Sequence, residues 1–274
     1  MRIDSHLHFW KLDRGDYGWL TPDLTPIYRD FLPADAQPWL DSAGIDGVVA
    51  VQAAPTVAET RFLLDLAKHE PRIRGVVGWV DMASPDASER IAELATDPLL
   101  KSIRPMLQDL PADDWMLEPA LGPAFATLVR HGLRFDALVK QRHLASLLTL
   151  IERHPDLAMV VDHGAKPDIA GGGFASWRAA LAPIAAAPHV HCKLSGLVTE
   201  AAPAAGPEAI RPYADALFEL FGADRLMFGS DWPVATLRRS YAEWQGMAGI
   251  LAEKLSDDER AALFGGTAAR FYGL

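Results

Sequence analysis

Two histidines separated by one residue, His6 and His8, are the first side chains in the sequence whose type and spacing could do chemistry. Residues two apart on a β-strand point to the same side, so both imidazoles could reach one ligand. Imidazole nitrogens are common ligands of divalent metals, zinc above all. An H-x-H pair standing alone is weak evidence, so its meaning depends on what the rest of the chain places beside it.

Two later residues could complete a reaction centre with this pair: His163 and Asp231, each at the end of a short apolar run. Imidazole and carboxylate together suit zinc, so His6, His8 and Asp231 are expected to hold one divalent metal. A metal there would polarise a carbonyl group and lower the pKa of a bound water. Asp231 would take the water proton as general base, and His163 would support the oxyanion.

The elements that must position these residues are read from apolar periodicity. Eight short apolar runs predict strands at 2–8, 45–52, 73–80, 100–107, 133–139, 157–163, 190–196 and 225–231. Amphipathic segments predict helices at 57–69, 85–96, 118–131, 142–154, 174–187, 207–221, 236–254 and 256–270. This alternation predicts parallel pairing, and eight units match a single (β/α)8 TIM barrel over 1–274 in number and length. The alternative is a doubly wound open sheet, but no glycine-rich phosphate loop follows the first strand.

In such a barrel, functional side chains lie at the carboxyl ends of the strands and face inward. Strict alternation in the first strand turns Ile3 and Leu7 outward and Asp4, His6 and His8 toward the interior. Polar or aromatic residues also end or line the other strands: Gln52, Trp79, Asp81, Arg104, Asp136, His163, Lys193 and Asp231. Arg104 and Lys193 are expected to hold anionic or hydroxylated substrate groups.

Each of these residues has an ordinary structural explanation as well. Asp231 lies among turn formers and could cap a helix, while Arg104 and Lys193 could cover helices with their stems. Their joint occurrence in barrel register favours a site. The long irregular segment 9–32, with aromatic residues such as Trp10, is expected to form a lid or a substrate wall.

Composition excludes several kinds of partner. The formal charge of −10 argues against nucleic acid and anionic membranes, and no apolar run is long enough to span a bilayer. No signal-peptide pattern is present, and the single cysteine, Cys192, fits a reducing compartment. A cytoplasmic enzyme with a small-molecule substrate is expected. The oligomeric state stays open, a homo-oligomer included.

With these residues placed, the sequence resembles the amidohydrolase superfamily. More narrowly it is similar to the branch of lactone hydrolases that includes fuconolactonases, rhamnonolactonases and pyrone-dicarboxylate lactonases. The matching stretches, in chain order, are IDSHLHFW, VVAVQAAPTVAET, KSIRPMLQ, MVVDHGAKPDI, HCKLSGLVTEA and LMFGSDWPV. The resemblance implies a TIM barrel, hydrolase activity in carbohydrate metabolism, and site roles for His6, His8, His163 and Asp231.

The sequence departs from binuclear members of the superfamily at two strands. Arg104 stands where those members place a bridging lysine or glutamate, and Asp136 stands where many place a histidine ligand. One metal is therefore expected rather than two. Some lactonases of this branch are thought to work without a metal, in which case the three histidines would polarise the carbonyl by hydrogen bonding.

A hydroxyl-rich sugar-acid lactone, fuconolactone-like, is the expected substrate. The residues expected to bind it are mixed in character: Gln52, Arg104, Asp136, Lys166, Lys193, Trp10 and Trp232. A dicarboxylate substrate would call for several inward arginines, and only Arg104 is well placed. Two alternatives stay open: a metal-dependent decarboxylase of aromatic or muconate-type acids on the same barrel, and a barrel that binds a sugar acid without catalysis.

Overall fold

Eight parallel strands lie side by side in chain order in the computed structural model, which describes residues 1–274. The strands are β1 (Ile3–Leu7), β2 (Gly47–Val51), β3 (Ile73–Gly78), β4 (Leu100–Ile103), β5 (Arg134–Ala137), β6 (Met159–Val161), β7 (Val190–Leu194) and β8 (Leu226–Phe228). β8 returns to β1 through backbone hydrogen bonds. His8 N donates to Trp232 O at 2.7 Å, and Asp231 N donates to His6 O at 2.8 Å. The predicted (β/α)8 barrel is confirmed, with all eight strands where the sequence places them.

Helices surround this barrel. They are α1 (Pro33–Ala43), α2 (Val57–His69), α3 (Ala87–Leu94), α4 (Gly122–Arg130), α5 (Leu144–Arg153), α6 (Phe174–Ala185), α7 (Leu197–Glu200), α8 (Pro207–Phe221), α9 (Tyr241–Leu251), α10 (Asp257–Ala261) and α11 (Thr267–Tyr272). None of them combines the length and the apolar character needed to cross a membrane.

Three helices differ from the sequence prediction: α1 and the short α7 have no predicted counterpart, and the predicted helix 256–270 is interrupted. α1 was not predicted, although it has proline at its first position and Asp35 in its first turn, where the Asp35 carboxylate accepts from Leu32 N at 2.9 Å. The predicted helix 256–270 is broken between α10 and α11 by a wider turn, Ala262–Gly266. That turn packs against the start of β1. A side chain at Gly265 would lie 2.3 Å from the Met1 carbonyl oxygen, so the helix can pass there only without one.

The predicted alternation of side chains in β1 is wrong at its first two residues. Pairing with β2 shifts register between Asp4 and Leu7. Ile3 packs inside the barrel with Val49 and Val51, whereas the Asp4 carboxylate faces the helices and accepts from the Tyr241 hydroxyl at 3.1 Å. After this irregularity Leu7 packs in the outer core as expected, and His6 and His8 face inward. The irregularity moves the start of the strand without disturbing the two histidines.

The interior below the histidines is closed by the C-terminal helix. Phe271 and Tyr272 of α11 pack against inward-facing apolar residues of the strands, among them Val77, Val160 and Met227. The hydroxyl of the buried Tyr272 donates to Asp136 Oδ2 at 2.7 Å. The floor of the barrel is therefore apolar, with one hydrogen bond leading from α11 to the polar residues above it.

Removing that hydroxyl tests how strongly α11 is tied to the barrel. We expect Tyr272→Phe to lower the free energy of unfolding by about 1–3 kcal/mol, because a buried carboxylate loses a donor. Urea denaturation monitored by circular dichroism measures the change. Tyr28→Phe is the matched control, because Tyr28 is 40% exposed. Equal stability of the two variants would contradict this role for the hydroxyl.

Candidate active site

Four side chains meet at the carboxyl end of the barrel: His6, His8, His163 and Asp231. Their imidazole Nε2 atoms surround one carboxylate oxygen, Asp231 Oδ1, at 3.7, 3.2 and 3.9 Å respectively. His6 Nε2 and His8 Nε2 are 3.2 Å apart. All four side chains are almost completely buried, so the polar atoms face one another at the bottom of the site.

β1 and the turn after β8 bring two of these residues together. His8 is fixed by its other ring nitrogen, because Nδ1 lies 2.8 Å from Val51 O. A carbonyl oxygen can only accept a hydrogen bond, so Nδ1 carries the hydrogen. Asp231 has a positive φ of 56° and donates its backbone N–H to His6 O. This left-handed residue turns the chain back over the barrel, so its carboxylate faces the histidines of β1.

His163 reaches the site by an unusual backbone. Along β6, alternation puts Val160 and Asp162 on the inner face, so the side chain of residue 163 should point outward. Instead φ is positive at four consecutive residues, His163 to Lys166. His163 Nδ1 then lies 2.8 Å from the Ser195 hydroxyl, which fixes the ring against β7. The left-handed turn therefore carries two predicted residues, His163 and Lys166, into the site.

The ligand atoms of the site fit a divalent metal. His6 Nε2, His8 Nε2 and Asp231 Oδ1 lie 3.2–3.7 Å from one another. Ligands of a tetrahedral zinc ion with bonds near 2.05 Å would be about 3.3 Å apart. His6, His163 and Asp231 form a second grouping whose ligand atoms all lie within 4.8 Å. These residues can hold one metal, with His163 beside it.

Burial and charge set the protonation of the site. Burial and the Lys193 ammonium hold the pKa of His6 well below its usual value. Burial lowers the pKa of His163 to about 4. Burial opposes ionisation of Asp231, but the facing imidazoles, His163 foremost, hold the pKa of its carboxyl below the usual range. At neutral pH the site therefore presents the Asp231 carboxylate beside the neutral imidazoles of His6 and His163.

A second layer of charged groups lies beneath the histidines. The Lys193 ammonium donates to Asp136 Oδ2 at 2.6 Å and lies 3.0 Å from Asp162 Oδ1. Asp162 Oδ2 accepts from Arg104 Nη1 at 3.2 Å. Arg104 and Gln52 also bond each other, through Gln52 Nε2 to Arg104 O at 2.8 Å and through Arg104 Nη2 to Gln52 Oε1 at 3.2 Å. The Coulomb attraction of Lys193 overcomes burial and holds the pKa of Asp162 well below its usual value.

A cavity of about 260 Å³ opens above the four residues. It exposes His8, His163 and Asp231, together with Arg104 and Lys166 among the residues predicted to bind substrate. Further residues that the sequence did not single out complete its wall: Leu24, Ala53, Met106, Gln108, Asp109, Leu138, Val234 and Leu237. They were not predicted because they come from loops and turns, where no periodicity of apolar residues indicates which side chains face the cavity.

Five residues predicted to touch substrate do not reach this cavity. Gln52, Asp136 and Lys193 are fully buried in the layer below it, each held by charged or amide partners. Trp10 is also fully buried and donates from Nε1 to Arg29 O at 2.7 Å, and Trp232 packs on Phe31. The prediction of direct contact is corrected for these five: they support the residues that line the cavity.

The long segment 9–32 forms part of the cavity wall. Trp10 packs edge-to-face on Trp19 at 5.7 Å between ring centroids, and Trp19 lines the cavity with its Nε1 bonded to Ala53 O at 2.7 Å. The segment therefore forms a wall of the cavity, which Trp19 lines and Trp10 supports from behind.

A buried carboxylate, Glu59 of α2, ties this segment to the barrel. Tyr17 donates its hydroxyl to Glu59 Oε2 at 2.6 Å, and Ala53 donates its backbone N–H to Oε1 at 3.0 Å. Arg14 Nε lies 3.4 Å from the same carboxylate. Burial outweighs these contacts and raises the pKa of Glu59 to about 7. Sequence reasoning missed Glu59 because its position in the first turn of α2 looks like an ordinary helix start.

Residues 3–274 match the family model described as Amidohydrolase. The chain belongs to the amidohydrolase family.

Relatives of this amidohydrolase cover nearly its whole length. A protein of Burkholderia ambifaria named L-fucono-1,5-lactonase is 47% identical over 275 residues, which cover 99% of this chain and 95% of that protein. A protein of Burkholderia multivorans with the same name is 42% identical, covering 100% of this chain and 96% of its own. The crystal structure of an amidohydrolase from Burkholderia multivorans, with bound zinc, superposes with a TM-score of 0.95 at 41% identity, covering 100% and 99% of the two chains.

The position of His163 depends on a glycine, which gives a prediction. Gly196 has φ of 63°, and a Cβ there would lie 2.5 Å from His163 Nδ1. We expect Gly196→Ala to displace His163 and to lower stability beyond the roughly 1–2 kcal/mol cost of the left-handed backbone alone. Thermal unfolding measures the loss. Gly132→Ala is the control, since Gly132 has φ of 64° and open space around it. Equal losses would contradict the collision.

The raised pKa of Glu59 predicts a pH dependence of stability. The folded state binds the Glu59 proton more tightly than the unfolded chain, so the unfolding free energy falls as pH rises from about 5 through 7. We expect Glu59→Gln to abolish this part of the dependence, up to roughly 3 kcal/mol at pH 8 relative to pH 5. Urea unfolding at both values measures it, with the exposed Glu89→Gln as control. A wild-type slope retained in Glu59→Gln would contradict the assignment.

Proposed function

We propose that this amidohydrolase opens the ring of a sugar-acid lactone by hydrolysis, with L-fucono-1,5-lactone as the favoured substrate. The carrying observation is the buried carboxyl group of Asp231, which faces three imidazoles at the bottom of a cavity. Ester hydrolysis needs a base for water and donors for the carbonyl oxygen, and this arrangement offers both. The activity named for both Burkholderia relatives supports the substrate class.

Asp231 is the base in the proposed reaction. A water oxygen attacks the lactone carbonyl carbon while its proton passes to Asp231. The bond between this carbon and the ring oxygen then breaks, and the proton on Asp231 is returned to the leaving ring oxygen. The product is the open-chain hydroxy acid, so atoms and charge balance without another reactant. His163 lies beside Asp231 and would stabilise the oxyanion.

His6, His8 and Asp231 are the proposed ligands of one divalent metal, with zinc favoured. When bound there, zinc would polarise the carbonyl oxygen and lower the pKa of a coordinated water. The support is the 3.2–3.7 Å spacing of the three ligand atoms, together with the zinc bound in the structure of the similar amidohydrolase. In the absence of a metal, His163, which lines the cavity, would donate to the carbonyl oxygen.

The cavity suits a small ring with both hydroxyl and apolar groups. Its volume of about 260 Å³ lies just below the range of about 300–1,000 Å³ typical of drug-sized ligands, as expected for one sugar ring. Arg104 and Lys166 would bind hydroxyl or carboxylate oxygens. Leu138 and Leu237 suit the methyl group of a 6-deoxy sugar. A cytoplasmic reaction belongs to the same proposal, supported by the single free cysteine, Cys192.

Removing the base tests the proposed reaction. We expect Asp231→Asn to reduce kcat/KM for L-fucono-1,5-lactone by about a hundredfold to ten-thousandfold, because general-base catalysis contributes on that order. Proton release followed with a pH indicator measures turnover. Asp65→Asn, on the exposed side of α2, is the control and should keep wild-type turnover.

The same assay separates the alternatives. A wild-type protein that releases no proton above background from a panel of sugar lactones would contradict the lactonase. Carbon dioxide release from an aromatic carboxylic acid would support a decarboxylase instead. Binding of a lactone without turnover would support a sugar-acid binding protein.

A further inference from the structure

The imidazole of His6 has two competing partners at the nitrogen that faces away from the cavity. His6 Nδ1 lies 3.2 Å from the Lys193 ammonium and 3.5 Å from Asp162 Oδ1. All three side chains are completely buried, so no bulk solvent moderates the competition. One partner can only donate a hydrogen and the other can only accept one.

The Lys193 contact selects the His6 tautomer that carries its hydrogen on Nε2. Lys193 is fixed on its other side by Asp136 Oδ2 at 2.6 Å, and from there it donates to His6 Nδ1. His6 Nε2 then donates to His8 Nε2, 3.2 Å away. His8 Nε2 is free to accept because its Nδ1 hydrogen goes to Val51 O. This chain of donors and acceptors runs from Lys193 to Val51 O, and it leaves the His8 Nε2 lone pair 3.2 Å from Asp231 Oδ1, with only the His6 hydrogen close to both atoms.

A metal requires the opposite tautomer, because the His6 Nε2 lone pair must be free to coordinate. The hydrogen then lies on Nδ1 and needs an acceptor, as the outer nitrogens of metal-bound histidines usually do. Asp162 Oδ1 is such an acceptor. It is buried, it has an ionic contact with Lys193 at 3.0 Å, and it accepts no hydrogen bond of good geometry.

We propose that Lys193 and Asp162 compete for His6 Nδ1 and thereby set whether His6 presents a hydrogen or a lone pair to the reaction centre. With Lys193 bonded, His6 Nε2 carries a hydrogen, which it donates to His8, and so has no lone pair for a metal. With Asp162 bonded, His6 becomes a metal ligand. Lys193 is thus a positioning residue that weakens metal binding, and Asp162 is one that strengthens it.

The switch deepens the proposed lactonase chemistry, and it rests on His6 lying at the proposed metal site. It determines whether the same residues form a metal-bound or a metal-free reaction centre. His6 Nε2, His8 Nε2 and Asp231 Oδ1 lie within 3.7 Å of one another. Three acceptor atoms at this spacing repel one another unless a metal ion or the hydrogen on His6 Nε2 lies between them.

Zinc affinity of metal-free protein tests the proposal without any lactone. The key variant is Lys193→Met combined with Asp136→Asn, which removes one buried charge of each sign and leaves Asp162 in place. We expect it to bind zinc at least about tenfold more tightly than wild type, in competition with a chromophoric chelator. We expect Asp162→Asn to bind zinc at least about tenfold more weakly.

Two controls separate the tautomer from charge and from general damage. Lys166→Met removes a positive charge at the cavity without touching His6, so it should change zinc affinity less than the double variant does. Asp136→Asn alone keeps the Lys193 donor and should not show the tenfold increase in zinc affinity. A purely structural role would make both key variants bind zinc more weakly. Zinc affinity of the double variant that is unchanged or reduced would overturn the proposal.

The wild-type protein allows the tautomer of His6 to be measured directly, and a variant serves only to identify the His6 signals. In ¹⁵N-histidine spectra of metal-free protein, with the His6 signals identified by their loss in His6→Gln, we expect the hydrogen on Nε2. On zinc binding it should move to Nδ1. A wild-type His6 that already carries its hydrogen on Nδ1 would overturn the proposal. These experiments measure zinc affinity and the His6 tautomer, not turnover. The proposed lactone hydrolysis can therefore be wrong while the competition for His6 Nδ1 is right, and the reverse.

Discussion

A lysine ammonium inside a barrel must be neutralised where it lies, and this constraint organises the reaction centre. Lys193 is completely buried, and removing an ammonium from water costs several kcal/mol unless partners compensate. Its partners are Asp136 on β5, Asp162 at the end of β6 and His6 on β1. A single charge from β7 therefore fixes polar groups from three other strands.

The electrostatic consequences extend in both directions from this lysine. Downward, Asp136 accepts from Tyr272, so the C-terminal helix joins the same network. Upward, Lys193 helps to keep His6 neutral, while Asp162 orients Arg104 toward the cavity. The groups that line the cavity are thus held by a charged layer of which only Arg104 reaches the cavity itself.

The fold followed from periodicity, because eight buried strands alternating with amphipathic helices admit few arrangements. The same rule found His6, His8 and Asp231, since they lie at or just beyond the ends of β1 and β8, which the barrel brings together. It failed where the backbone departs from a regular strand. Ile3 and Asp4 exchange sides at the irregularity in β1, and His163 faces inward only through a left-handed turn. Neither departure has a signal in residue type.

Residues whose role depends on partners were harder to predict than residues whose role depends on position. Asp162 is not among the predicted site residues, because the prediction ends the strand on its neighbour His163, although alternation along β6 puts Asp162 on the inner face. Glu59 is buried only because the segment 9–32 folds over it with Tyr17. Trp10 and Trp232 were aromatic residues in the right region, but packing made them supports for the wall.

The central claim is that Asp231 activates water instead of attacking the substrate itself. A single turnover of L-fucono-1,5-lactone with excess enzyme in ¹⁸O-water, quenched rapidly and analysed by mass spectrometry, tests it most directly. A no-enzyme sample corrects for spontaneous opening. Attack by water predicts one ¹⁸O atom in the carboxylate of the first-turnover product and none in the protein. An unlabelled first-turnover product, with ¹⁸O in the peptide that contains Asp231, would contradict it.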